Sequence, residues 1–208
     1  IEIQTSGNAV DFGDLTVTTR YGAGGASATR GLSGGGVTPS WPANNAIDYF
    51  TLATTGNAKE FGDMYKTGSY GHACVGNSTR LLWCGGYSVP DSGNTNTVSY
   101  STIASLANAQ NFGDLSDGSS LLRRYIAGGI QSPTRGILVG GYSGSSYKTD
   151  IVHITITTLG DSANFGDLSY TAAGTPGASS STRGIIFPGY NGSNYNVNII
   201  EYVTIAST

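Results

Sequence analysis

The charges of this chain fall in register. Asp14, Asp63, Asp114 and Asp167 each close a Phe-Gly-Asp tripeptide, and Arg30, Arg80, Arg135 and Arg183 each follow a threonine. Four of the 10 basic residues and four of the 13 acids therefore occupy two repeating columns. A ring of carboxylates and guanidiniums has two chemical uses. It can bind a ligand, or it can latch each repeat, carboxylate to guanidinium or carboxylate to turn N–H groups. The latch is the preferred reading, because a binding site rarely needs the same residue in every repeat.

Recognition chemistry lies in the variable segments instead. After each glycine doublet comes a polar connection carrying aromatic residues: Trp41, Tyr87, Tyr142 with Tyr147, and Tyr190 with Tyr195. Tyr, Ser, Gly and Asn make adaptable recognition loops, and aromatic faces stack on sugars; ordinary polar loops with a packed tyrosine are the equal alternative. The third repeat adds residues 116–124, where Leu121, Leu122, Arg123 and Arg124 break the repeat symmetry as a partner-docking loop would; a tolerated surface insertion explains it as well.

Other chemistry is thinly represented. Cys74 and Cys84 read as core thiols, with the intervening hairpin setting Cys74 near Leu81 rather than Cys84, so no disulfide is expected. His72 and His153 stand apart from any Cys or Glu cluster, so no metal site is expected. Residues 91–96 alternate oxygen ligands from Asp91 onward but lack the terminal acid of a calcium loop. There is no nucleophile elbow, phosphate loop or dinucleotide fingerprint, so no catalytic residues and no cofactor are expected. Sequons at Asn77 and Asn191 matter only in a secreted eukaryotic protein.

The elements that must position these residues repeat with them. Phe12, Phe61, Phe112 and Phe165 are spaced by 49, 51 and 53 residues. Repeats are expected at 7–55, 56–106, 107–159 and 160–208, with residues 1–6 overlapping the strand of the last repeat, all in one domain. Each divides into four strand-sized pieces: a Gly/Ala-rich run, an apolar run such as Leu81-Leu82-Trp83-Cys84, a run carrying Tyr49, Tyr100, His153 or Tyr202, and a Gly-Asn-Ala lead-in to Phe-Gly-Asp. In the third run Val152, Ile154 and Ile156 alternate with Ile151, His153 and Thr155, so both faces are to be filled. Gly24, Cys74, Gly129 and Gly177 share one column of the first run, small enough for a crowded innermost strand.

Composition agrees with an all-β chain. Glycine is 32 of 208 residues, about twice average usage, and recurs in register with the strands, so low complexity is excluded. A net charge of −3 without a basic stripe argues against nucleic acid as a partner. No apolar run approaches the length of a membrane helix. The chain opens on Ile1, which reads as a processed product, a fragment or a segment of something longer.

Hydrophobic strand, Gly-Gly, a later Tyr, an aromatic and an Arg-containing strand together resemble the Kelch repeat. The second repeat carries it best, in Leu81-Leu82-Trp83-Cys84-Gly85-Gly86-Tyr87, then Tyr100 and Phe112. Phe stands in place of the usual Trp, repeat one lacks the Tyr after its glycines, and Pro188 interrupts the last doublet. The resemblance implies a four-bladed β-propeller of Kelch-like repeats. The ends are in phase, residues 1–6 with 203–208, so two segments claim one slot of a closed ring; closure is expected over a longer array, since open edges are a liability. The wording of the repeat is similar to repeat proteins of tailed-bacteriophage virions. That implies a non-enzymatic virion protein assembled in the host cytoplasm. As a tail fibre component it would bind a host-surface glycan; as a decoration protein it would bind another virion protein. Self-association into a homo-oligomer is left open.

Overall fold

Eighteen strands and no helix make up the described part of the computed structural model, residues 7–40, 43–125, 127–192 and 198–205. The first sheet runs β1 (Ala23–Ala26), β2 (Arg30–Gly34), β3 (Ala46–Thr51), β4 (Lys59–Asp63). Next come β5 (Ser69–Tyr70), β6 (Ala73–Gly76), β7 (Arg80–Cys84), β8 (Tyr87–Ser88), β9 (Gly93–Asn94), β10 (Thr97–Thr102) and β11 (Gln110–Asp114). Of these, β6, β7, β10 and β11 form the second sheet, while β5, β8 and β9 form a small separate one. The third sheet is β12 (Gly128–Gln131), β13 (Arg135–Val139), β14 (Lys148–Thr155), β15 (Ala163–Ala172). The fourth holds three strands, β16 (Gly177–Ser179), β17 (Arg183–Ile186) and β18 (Glu201–Thr204). Every pairing is antiparallel, and within each large sheet the strands pair in chain order, β7 reaching β10 past the small β8–β9 hairpin, so each large sheet is a meander.

Local chemistry sets the turns. At each β1–β2-type hairpin a short polar side chain caps the tip: Ser27, Asn77, Ser132 and Ser180 accept from the backbone N–H of Arg30, Arg80, Arg135 and Arg183 at 3.0–3.1 Å. This is why the Thr-Arg pair recurs at a fixed offset. The tight tip also corrects the expected cysteine register. With Asn77 N–H bonded to the Arg80 carbonyl, Cys74 falls opposite Trp83, and Cys84 opposite Ala73. The two thiols join different cores on opposite faces of the sheet, and both remain free.

Cores lie between sheets rather than within them. Leu32, Ile47 and Phe61 of the first sheet meet Leu81 and Trp83 of the second. The other face of the second, Val75, Leu82 and Val98, meets Leu138, Val152 and Ile154 of the third. Ile137, Val139 and Ile151 then meet Ile186 of the fourth. Hence β7 and β13 are apolar on both faces, as strands sandwiched on two sides must be. The Gly/Ala-rich strands β1, β6, β12 and β16 lie side by side in that order. A side chain at Gly129 would strike the Cys74 carbonyl, so the small-residue column reflects crowding.

A repeated seam ties each sheet to the next. The Phe-Gly-Asp outer strand accepts hydrogen bonds from the lead-in of the following repeat: Gly56 and Ala58 N–H to Phe12 and Asp14 O at 2.7 and 2.8 Å, Gly160 and Ser162 N–H to Phe112 and Asp114 O at 3.0 Å. In return the backbone N–H of Asp14, Asp63 and Asp114 donates to the side chains of Asn57, Asn108 and Asp161 at 2.8–3.0 Å. A Cβ on Gly62 would meet the Ala107 carbonyl at 2.5 Å, which is why glycine stands between Phe and Asp. Among the described residues no strand pairs the first sheet with the fourth, so the expected ring closure is not among these contacts.

Gly62→Ala should lower stability to urea by about 1–3 kcal/mol more than Gly166→Ala. Both glycines have φ near +150°, but nothing described lies within 4 Å of a Cβ on Gly166. Equal losses would show that the backbone angle, not the seam, sets the requirement.

Candidate binding rim

Successive connections of a meander alternate between its two ends, so the β2–β3-type connections of all sheets emerge together. The hairpin tips on the opposite side surround an uncharged opening of about 470 Å³ lined by Ser27, Asn77, Ser132, Ser180 and their neighbours. On the connection side, the glycine doublets turn the chain outward. Gly85 and Gly86 have φ of 65° and 99°, and Gly140 and Gly141 of 57° and 106°, left-handed conformations that favour glycine. Gly36, Gly86 and Gly141 donate N–H groups to Ser69, Arg124 and Ala172 of the following unit at 2.7–3.1 Å, a second seam above the first.

Short pairings beyond the doublets place the tyrosines. Tyr70 lies opposite Tyr87 in the β5–β8 pair, Tyr125 bridges to Tyr142, and Tyr142 bridges to Tyr147. Ring centroids are 5.3 Å apart for Tyr70–Tyr87, 5.6 Å for Tyr70–Tyr125 and 6.3 Å for Tyr21–Tyr70. Tyr142–Tyr147 and Tyr147–Tyr190 follow at 5.0 and 5.1 Å. Seven tyrosines thus run along one rim, joined by the Tyr125–Tyr142 bridge, with most rings half-buried and Tyr21 exposed. Tyr21 holds a left-handed φ of 61°, a costly conformation for a bulky residue that accompanies its contact with Tyr70.

Of the aromatic residues the sequence marks, Tyr142, Tyr147 and Tyr190 come together and Tyr87 joins the neighbouring group. Trp41 and Tyr195 lie outside the described residues. Tyr21, Tyr70 and Tyr125 are additional rim residues; their recurrence just before three of the four Gly/Ala-rich strands was the available signal. Burial and the neighbouring phenols push the hydroxyls of Tyr70 and Tyr125 above their ordinary pKa, so both stay neutral donors. His72 is half-buried, its Nε2 3.0 Å from Ser69 Oγ and its buried Nδ1 without a partner, and desolvation lowers its pKa to about 4.

Two charge assignments require correction. The four arginines do not pair with the Phe-Gly-Asp carboxylates; the ion pairs among the described residues are Lys66–Asp91 and Arg124–Asp150. Arg30 and Arg80 instead stack on Tyr49 and Tyr100 at 4.7 and 4.5 Å while donating to the Ile103 and Ile156 carbonyls of the next sheet. Arg183 stacks on Tyr202 at 5.0 Å. Arg135 faces His153, which stands where the other repeats carry the tyrosine, and with burial its charge lowers the pKa of that histidine. Asp14, Asp63 and Asp114 serve the seam through their backbone, and the Asp167 carboxylate accepts from Thr149 Oγ1 at 3.0 Å. Arg30 and Arg80 thus tie one sheet to the next, through a ring of their own sheet and a carbonyl of its neighbour.

The docking loop divides as well. Arg124 is 1% exposed, donating to the Gly140 and Asp150 carbonyls and to the Asp150 carboxylate at 2.9–3.1 Å. It is a core cation, because a doublet and a strand end converge there with carbonyls to satisfy. Leu122 packs against the second-to-third core, leaving Leu121 and Arg123 exposed. Asp91 is occupied by Lys66 and Ser88 rather than arranged as a calcium ligand, and no metal-holding group of acids, His and Cys occurs among the described residues.

No family model matches the sequence, and no curated protein does. Among solved structures the chain is similar to YjhT, with a TM-score of 0.73 at 15% identity, over 89% of this chain and 66% of YjhT. The chain spans just under two thirds of the length of that protein, and the likeness is one of fold alone.

Arg124→Ala leaves the Asp150 carboxylate without its cation and the Gly140 carbonyl without its donor, and should cost about 3–5 kcal/mol, against under about 0.5 kcal/mol for Arg123→Ala, by chemical denaturation. His72 gives a pH test. Its folded pKa lies below the unfolded value, so its contribution is whole above about pH 6.5 and is lost as pH falls toward 4, by about 3 kcal/mol in all. His153 adds to the same window, so the measurement is the difference in slope between wild type and His72→Gln.

Proposed function

We propose that this chain is a non-enzymatic recognition module that binds a host-surface glycan through its tyrosine rim. The fold would be that of four Kelch-like blades of a β-propeller, carried on the fibre or tail of a phage particle. The arc of seven tyrosines on one edge carries the reading. Half-buried phenols offer rigid apolar faces for sugar rings and hydroxyls for their polar edges, at little entropic cost. The serine and glycine connections beside them, such as residues 143–146, adapt to a ligand without a preformed cleft. Radial packing is supported by four sheets in series, the adjacency of β1, β6, β12 and β16, and the likeness to YjhT. Placement on a virion rests on the resemblance of the repeat. Exposed Leu121 and Arg123 favour a second reading, docking to another virion protein.

Binding to a glycan panel and to host-type cell envelopes should fall at least tenfold in a Tyr147→Ala/Tyr190→Ala variant of unchanged circular dichroism. Silence of the folded wild type across the panel would move the assignment to the docking reading.

A further inference from the structure

Beside the β8–β9 hairpin lies an opening of about 330 Å³, lined by Lys66, Asp91, Asn94, Asn96, Thr97 and Arg123 among others. Its two cations differ. Lys66 Nζ is paired with the Asp91 carboxylate at 3.3 Å, and Ser88 Oγ donates to the same carboxylate at 2.9 Å. Arg123 is exposed and makes no hydrogen bond or ion pair among the described residues. Hydrogen bonds from Ser88 and Lys66 first, and the nearby charge of Arg123 last, hold the Asp91 carboxyl below the usual carboxylate range. The carboxylate is spent on Lys66, so the guanidinium is the surplus charge of the opening. Elsewhere Arg30, Arg80, Arg124 and Arg183 are occupied by rings, carbonyls and Asp150.

The rest of the lining offers donors. Thr95 Oγ1 donates to Thr97 Oγ1 at 3.0 Å, which leaves the Thr97 hydroxyl its own proton to give. Asn94 and Asn96 add amides, and the Lys66 ammonium has N–H groups beyond the one on Asp91. A guanidinium fork with an ammonium, amides and a hydroxyl around one opening is the set that an oxyanion takes. A cation fits poorly, because Asp91 is the one carboxylate of this lining and Lys66 already holds it.

Arg123 is carried to the opening by a fixed backbone. The next residue, Arg124, donates its N–H to the Thr95 carbonyl at 3.2 Å and accepts from Gly86 N–H at 2.7 Å, while its side chain is locked under Gly140. The insertion of the third repeat thus places one arginine inside and one at the opening. The tyrosine rim adjoins it. Asn94 lies opposite Tyr87 in the β8–β9 pair, and its Nδ2 donates to the Tyr142 carbonyl at 2.7 Å. The opening therefore sits where the group of Tyr70, Tyr87 and Tyr125 meets that of Tyr142, Tyr147 and Tyr190.

We propose that this opening binds a carboxylate or phosphate group, and that the glycan on the tyrosine rim is an acidic one. The glycan rests on the reading of the rim; the anion rests on the opening alone. A sugar ring stacked on Tyr87 or Tyr142 brings its anionic substituent to Arg123, which meets it with two parallel N–H groups. Lys66, the amides and Thr97 Oγ1 are left for its other oxygens. Apolar tyrosine faces accept sugars of many kinds, and the charged opening chooses among them.

The test follows the side-chain amide signals of Asn94 and Asn96 by NMR in the full chain. Sodium glucuronate or inorganic phosphate should shift them with saturation, whereas glucose, and sodium chloride at matched ionic strength, should not. The two anions separate a carboxylate from a phosphate ligand. Arg123→Gln, with unchanged circular dichroism, should abolish the shifts, and Arg123→Lys should keep a weaker response, since charge remains without the fork. On glycans, carboxylate- or phosphate-bearing chains should bind the wild type about tenfold or more tighter than neutral ones, and Arg123→Gln should remove that preference. Absence of shifts with both anions, or shifts unchanged in Arg123→Gln, overturns the anion site. Acidic and neutral glycans bound alike overturn the acidic assignment and leave the rim standing. Silence toward every glycan with the amide shifts intact overturns the rim and supports the anion site.

Discussion

No sheet in this molecule can bury its own side chains. A strand such as β7, with Leu81, Leu82, Trp83 and Cys84 all buried, needs cover on both faces, and only the neighbouring sheets provide it. All three cores are therefore interfaces between consecutive units. Stability in such an array is carried by nearest-neighbour terms, and the seams hold these terms in register. The outer seam aligns backbones through Phe-Gly-Asp, the inner strands fit through small residues, and the doublets join the rim. Each device is short, local and repeated, so one sentence of sequence suffices for all units.

That economy explains what could be read from the chain. The strands, their order within a unit and the crowded inner column follow from spacing and residue size, and the structure has them. Gly129 against the Cys74 carbonyl is the direct physical form of a small-residue column. Partner identities were less legible. Asp and Arg columns of equal frequency invite pairing, yet the arginine planes stack on Tyr49 and Tyr100 and seek carbonyls, while the aspartates act through backbone N–H groups. Spacing along a chain reports recurrence. It does not say whether a recurring residue is used for its side chain or its backbone.

Arg124 shows the same limit from the other side. In sequence it stands beside Arg123 in a polar insertion, and adjacent arginines read as surface. In the fold a one-residue step inverts the environment, because Arg124 turns in beneath the Gly140 carbonyl and Arg123 turns out. The cation is held by three acceptors at its two terminal nitrogens, which offset its burial, while its Nε has no partner. Such a site has no counterpart in the other repeats. Its meaning depended on a convergence of chain segments that no periodicity encodes.

Within the chain, invariance and variation divide the labour. The columns that recur, Phe, Gly, Asp, Thr and Arg, are those consumed by seams and hairpin tips, and their surfaces are spent on neighbouring units. The connections differ in every repeat: Val37 where the others carry Tyr87, Tyr142 and Tyr190, a paired hairpin at β8–β9, and a bridged Tyr147 in the third. Seams must be alike because each unit meets the next in the same way, whereas a rim meets solvent and is free to differ. Tyrosine nonetheless persists along that rim, stacked at about 5–6 Å from ring to ring. The left-handed backbone at Tyr21 accompanies its contact with Tyr70, so the rim is ordered by contacts from ring to ring rather than by the seams that hold the rest of each unit.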